Sequence, residues 1–291
     1  MTRFVAKLER LLEREDFRAS PARAILRRLW WRLRWAVNSR PWRLETPAGF
    51  PLWIGKTGSG ALIYYQGVSE PGTARFLSNF LREGMIVADA GAHFGEFTVL
   101  AARRVGPTGQ VHAFEPHAEM FALLERNVAD NRPGRVTLNR CAVADFDGEA
   151  TFWERAEPAS SSLASGGASA ATDVRRMQSV PVRRLDSYFA DYGLIPDLIK
   201  ADVEGAERRV VLGATGLCSL PPERAPVWLL EYSITASARA GEAAQQLPRV
   251  LEVFGYRCYL LVDDGTLGPW APPGPPEVAT VNLVASKREL H

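Results

Sequence analysis

The stretch VADAGAHFGEFT, Val87 to Thr98, decides the fold. An apolar run ends at Asp89 and Ala90, a turn containing Gly91 and Gly95 follows, and Phe94, Phe97 and Ala101 then recur at helical spacing. Strand, glycine turn and helix in that order open an α/β sheet whose ligands bind at the carboxyl ends of the strands. Gly91 permits a tight turn, and Gly95 lets ligand or backbone come close to the helix N-terminus. The dinucleotide fingerprint G-x-G-x-x-G is absent, because His93 stands at its second glycine and Glu96 would repel a pyrophosphate.

The next strand ends in VHAFEPH, Val111 to His117, with Glu115 lying 24 residues beyond Gly91. A carboxylate there can accept both hydroxyls of a ribose. The plainer reading makes Glu115 a favourable charge at the start of the helix that Pro116 opens. Its register with the glycine turn favours the ribose, so the expected ligand is a nucleoside without phosphates, and S-adenosylmethionine is one. A third string, PDLIKADVEGAE, runs from Pro196 to Glu207. Lys200, Asp202 and Glu204 alternate where an apolar strand runs out, so they can converge on one pocket. Alternatively, Asp202 or Glu204 caps the following helix and Lys200 is solvated.

Around these strings the chain keeps a βαβ rhythm, which implies a mostly parallel, doubly wound sheet with helices on both faces. Strands are expected at 85–90, 110–115, 136–141, 197–200, 227–231, 257–262 and 279–286, with a helix over Thr73–Leu81. Residues 150–182 break the rhythm: two strands, 151–155 and 179–182, flank a Ser/Ala/Gly-rich loop over 159–171. From Trp42 to Tyr65, short apolar stretches between glycines and prolines predict a small β region.

Charge separates residues 1–43 from a main domain of 44–291. The first 43 residues hold 12 Lys/Arg against 4 Asp/Glu, whereas the whole 291-residue chain has a net charge of only +2. The remaining body is therefore acidic, which argues against a nucleic-acid partner. The extension is expected to be helical in two pieces divided at Ser20-Pro21. In the second piece Ile25, Leu29, Leu33 and Val37 recur every four residues among arginines. Either this helix packs on the main domain with a solvated basic face, or it lies on an anionic membrane or a lipid-linked substrate. Cys141, Cys218 and Cys258 form no metal-like pair, and no apolar run reaches the roughly 20 residues that cross a bilayer. A cytoplasmic protein is expected, with peripheral contact at the inner membrane face allowed through the extension.

Together, DAGAHFGE (Asp89–Glu96), FEP (Phe114–Pro116) and KADVEGAE (Lys200–Glu207) resemble the FkbM-type methyltransferases. Fainter echoes are VSEP (Val68–Pro71), SSSL (Ser160–Leu163) and LLEYS (Leu229–Ser233). The resemblance runs from about residue 60 to 286 and departs at His93, where asparagine is common. It implies a class I methyltransferase sheet, S-adenosylmethionine as donor and S-adenosylhomocysteine as product. The acceptor it implies is a hydroxyl on a sugar, glycan or polyketide-type natural product. Carried over by position, Asp89, Gly91 and Gly95 shape the methionine end, Glu115 holds the ribose, residues near Ala142 border the adenine, and Ala90, His93, Thr98 and Pro116 join the cofactor-binding set. Glu70, Ser161 and Ser162 close over the site, and Lys200, Asp202 and Glu204 face the acceptor.

For catalysis, Asp202 is the expected proton acceptor, assisted by Lys200 in its neutral form or by Glu204. Mg²⁺ on Asp202 and Glu204 is allowed but not favoured, because no third ligand is visible in the sequence. Three other classes stay open: a nicotinamide-dependent oxidoreductase, a nucleic-acid methyltransferase and a non-catalytic binding protein. The missing glycines count against the first. The second is disfavoured because the fourth strand ends in KADVEG, not in an Asn/Asp-Pro-Pro-aromatic string. A homodimer is compatible with the sequence.

Overall fold

The structure is a computed structural model that describes residue 17 and residues 20–155, 161–163, 174–272 and 280–290. The helical piece expected before Ser20 lies outside these apart from Phe17, as do the 159–171 loop apart from 161–163 and the side chain of Ser162. The chain divides into two compact units, Met1–Ser69 and Glu70–His291. The sequence had placed the boundary after residue 43.

In the first unit, α1 (Pro21–Val37) begins with proline, which needs no backbone donor there, and ends at the extended Asn38. An antiparallel pair follows, β1 (Trp42–Glu45) with β2 (Pro51–Ile54). The expected β region then gives way to a helix, α2 (Gly58–Gln66). Its Gly-Ser-Gly start reads as a turn in sequence, but the Thr57 side chain accepts the Gly60 N–H at 3.0 Å and caps the helix. Helix α1 turns Ala24, Trp31 and Trp35 inward, and Trp31 stacks on Tyr64 at 5.7 Å. The row Ile25, Leu29, Leu33 and Val37 faces outward instead. The aromatic rings win the packed face because they bury more apolar area per residue.

The second unit is built on an eight-stranded sheet. Its parallel body runs β11 (Val227–Ser233), β10 (Leu198–Ala201), β3 (Ile86–Ala90), β4 (Gln110–Phe114) and β5 (Val136–Asn139). Beyond β11 lies β14 (Thr280–Ser286), antiparallel to it, then β12 (Arg257–Leu261) and β13 (Leu267–Pro269). All residues of β10, and all but Ile86 of β3, are buried, as helices on both faces require. Chain order reverses beside β3, whose neighbours are β4 and β10, so the crevice at their carboxyl ends is the topological switch point. The expected short strands at 151–155 and 179–182 belong to longer ones, β7 (Gly148–Arg155) and β9 (Val174–Arg183). With β6 (Ala142–Val143) and β8 (Ser162–Leu163) they form a separate four-stranded sheet.

At the switch point, β3 and β10 come together so closely that only glycine fits after Ala90. Gly91 has φ +77°, and a Cβ there would lie 1.8 Å from the carbonyl oxygen of Asp202. The Asp202 N–H also donates to the Ala90 carbonyl at 3.0 Å, so the two turns cannot separate without breaking the ladder. Gly91→Ala is therefore expected to cost about 2–4 kcal/mol, from strain at positive φ plus the clash. Urea unfolding would show a lower midpoint, and a wild-type midpoint would contradict this packing.

Candidate active site

The β3 and β10 strand ends bring three charges together. Lys200, the third residue of β10, is 5% exposed, and its Nζ lies 3.7 Å from Asp89 Oδ1 and 3.5 Å from Asp202 Oδ2. Asp89 is held from its other side by the Thr98 hydroxyl, which donates to Oδ2 at 2.6 Å. Thr98 sits in α4 (Glu96–Val105), the helix launched by the glycine turn. Burial alone would favour neutral Lys200, but Asp202, Asp89 and Glu70 outweigh it and raise its pKa above the ordinary lysine value. The neutral-lysine base expected from sequence is thereby corrected: Lys200 is a fixed cation that orients Asp202.

Glu204 does not join them. Its backbone is left-handed, with φ 58°, and its carboxylate lies 3.8 Å from Arg239 Nη2. Alternation fails because β10 ends at Ala201 and the chain then turns. Two other acids take the place expected for Glu204: Asp202, Glu207 and Glu231 each present a side-chain oxygen within 4.8 Å of the others. Glu207 opens the helix α6 (Glu207–Leu212) and accepts the N–H groups of Val203 at 2.9 Å and Gly205 at 3.1 Å. Burial still pushes its pKa up to about 7. Glu231 comes from β11, and its Oε2 is buried without a hydrogen-bond partner. Burial, then Asp202, Glu204, Glu207 and Glu70, hold Glu231 well above the usual carboxylate range. Such a cluster can retain a proton at neutral pH or ligate a hard cation through oxygen.

Glu70 precedes α3 (Pro71–Phe80). Its Oε2 accepts from the Thr73 hydroxyl and from Asn282 Nδ2, both at 2.8 Å. Burial and Asp202 raise its pKa, while Lys200 opposes them.

Across the glycine turn, Glu115 is 6% exposed and each of its oxygens accepts one backbone N–H at 2.7 Å, from His93 and from His117. Those bonds orient the carboxylate and leave lone pairs for two hydroxyl donors. Burial outweighs them and pushes the Glu115 pKa up to about 7. His93 holds φ 53°, a conformation that favours glycine or asparagine, and burial pushes its imidazole down to about 3, so the ring is neutral.

At other expected positions the contacts are with neighbouring elements. A Cβ on Gly95 would meet Leu124 Cδ1 at 2.5 Å, so the constraint there is the helix α5 (Ala118–Asn131). Pro116 lies two residues ahead of that helix and does not open it. Ala142 is buried in the small sheet's core with Phe152 and Val182. The Ser161 hydroxyl accepts from Arg155 N at 3.0 Å within the same sheet. The sequence missed Glu207, Glu231 and Asn282. Only Glu231 carried a signal, as the single acid in the apolar run VWLLEYS.

An open α/β sheet with a phosphate-free glycine turn and an acid closing its second strand defines a protein that binds a nucleoside-type cofactor. The chain belongs to the FkbM methyltransferase domain family, whose model matches residues 89–258. It is an S-adenosylmethionine-dependent methyltransferase, which sets aside the nicotinamide reading. No curated protein matches the chain. Among solved structures it is similar to a putative rRNA methylase from Clostridium thermocellum, at 11% identity over 74% of this chain and 92% of that one, TM-score 0.46. It is also similar to an S-adenosylmethionine-dependent methyltransferase from Agrobacterium tumefaciens, at 12% identity over 86% and 72%, TM-score 0.46. The tomaymycin-pathway O-methyltransferase TomG from Streptomyces achromogenes is 10% identical over 75% and 79%, TM-score 0.43. Likenesses this distant do not bear on the acceptor.

Ribose hydroxyls donate to ionised Glu115 but not to both oxygens of a protonated carboxyl. With a pKa of about 7, affinity for S-adenosylhomocysteine should be full above pH 7 and fall about tenfold per pH unit well below it. Glu115→Ala should weaken binding at least about tenfold at pH 8, since bonds to a charged acceptor contribute about 1.5–3 kcal/mol each. It should also flatten the pH profile. Calorimetry at pH 6 and 8 checks both, and unchanged affinity in the variant would remove Glu115 from the site.

Proposed function

We propose that the enzyme transfers the methyl group of S-adenosylmethionine to a hydroxyl oxygen of a sugar, glycan or polyketide-type natural product, with Asp202 as proton acceptor. The observation that carries this reading is the position of Asp202 at the carboxyl end of β10. There its side chain is 28% exposed, while its neighbours Lys200 and Glu207 are buried. A base must reach an incoming substrate, and of these three Asp202 is the accessible one. The acceptor oxygen forms its bond to the methyl carbon as the carbon–sulfur bond breaks in line with it. The hydroxyl proton passes to Asp202, leaving a methyl ether and S-adenosylhomocysteine. The sulfonium loses its positive charge in this step, so a dry, oriented pocket can favour the transition state.

Asp202→Asn should lower turnover by about 10²–10⁴, the usual loss when a general base is removed, with cofactor affinity nearly intact. Product mass after incubation with candidate glycans or macrolides reads the acceptor, and turnover within about threefold of wild type would sink the assignment of Asp202.

A second reading rests on the Asp202–Glu207–Glu231 cluster, with its unpartnered Glu231 oxygen. Glu207 and Glu231 stand there in place of Glu204, so three carboxylates meet where the sequence showed two. A divalent cation there would acidify the acceptor hydroxyl in place of a base. Activity abolished by EDTA and restored by Mg²⁺ would establish that route, and activity indifferent to EDTA would exclude it.

A further inference from the structure

The outward face of α1 is a feature that methyl transfer leaves unused. Ile25, Leu26, Leu29, Trp30, Leu33 and Val37 are between 50% and 78% exposed. With 3.6 residues per turn they fall within one arc of about 140°, and no charge interrupts it. Arg32 borders the arc on one side and Arg23 on the other, both exposed. The helix carries five arginines and no acidic residue. Six large apolar side chains on one helix exceed the scattered surface hydrophobics of ordinary proteins and mark an interaction site. The opposite face is already occupied, because Trp31 and Trp35 are buried and Arg27 Nη1 donates to the Tyr65 carbonyl at 3.1 Å. The helix is thus fixed by its rear face with the apolar arc free.

We propose that this face docks on an anionic lipid bilayer, with α1 lying in the plane of the interface. A stripe of Leu, Ile and Trp edged by arginines sinks its apolar side chains to the level of the acyl chains while the guanidinium groups meet the headgroup phosphates. Charge favours this occupant over a second copy of the chain. Two such faces apposed would set Arg23 and Arg32 against like charges, with no acid on the helix to pair with them. Among the described residues no helix is long and apolar enough to cross a membrane, so the contact is peripheral.

The test uses the full chain in sedimentation with vesicles containing about a third anionic phosphatidylglycerol, against pure phosphatidylcholine. At low salt the protein should bind the anionic vesicles at least about tenfold more tightly, and added salt should weaken the binding. Leu29→Asp with Leu33→Asp should reduce it about tenfold or more, while Arg23→Glu with Arg32→Glu should bring it down to the level seen on neutral vesicles. All four side chains face solvent, so melting temperature and S-adenosylhomocysteine affinity should stay unchanged, which separates lost docking from lost fold. Three results would overturn the proposal: indifference to anionic vesicles, equal binding to both lipid mixtures, or a dimer in solution that the Asp pair converts to monomer.

Discussion

The buried ammonium of Lys200 is the interaction on which the rest of the site depends. Asp89 and Asp202 lie on adjoining parallel segments whose backbones touch at Gly91, so their carboxylates are forced into one small volume. Without a cation between them, two carboxylates this close, with Asp89 buried, would repel each other in a poorly solvated site. Lys200 answers both at once, at 3.7 and 3.5 Å. It thereby ties β3 and α4, through Asp89 and Thr98, to the side where Asp202 stands beside two further acids. The remaining acids are handled locally: Glu207 by backbone N–H groups, Glu204 by Arg239 and Glu70 by Asn282 and Thr73. Among them, Glu231 has an oxygen that is buried without a hydrogen-bond partner.

On the other side of the glycine turn the same problem is solved without a cation. Glu115 is fixed by two main-chain N–H groups, which cost no side-chain entropy and cannot swing away. One of them belongs to His93, whose left-handed backbone aims its N–H at the carboxylate. The strain at His93 and the orientation of Glu115 are one feature of the turn, not two.

Much of this was legible because it is local. Strand, glycine turn and helix at Val87–Thr98, and the acid that closes the next strand, are patterns of neighbours in sequence, and the sheet places them as their order implies. What failed was long-range or depended on which side of an element wins the packing. Glu231 reaches the site from an adjacent strand, and Glu207 reads in sequence as an ordinary acid in the first turn of a helix. Glu204 was assigned by extending strand alternation past Ala201, where the chain leaves the strand. In α1 the fourfold aliphatic row left packing and a membrane surface both open, and the packed face is formed off that row, by Trp31 against Tyr64 and Tyr65 and by Trp35 against Trp31. Periodicity identified the helix but not which of its two apolar faces is covered.

The insertion of β14 between β11 and β12 also sets an order of events during synthesis. Both of its neighbours leave the ribosome first, and each must keep an edge unfilled until residues 280–286 emerge. Asn282 arrives on that strand and makes its bond to Glu70 across 212 residues of chain. Every shorter nascent chain therefore carries a gap in its sheet and a Glu70 that has Thr73 but not yet Asn282 to hold it. Closing the sheet and adding the second bond to that carboxylate are the same late step, so a half-made chain has neither.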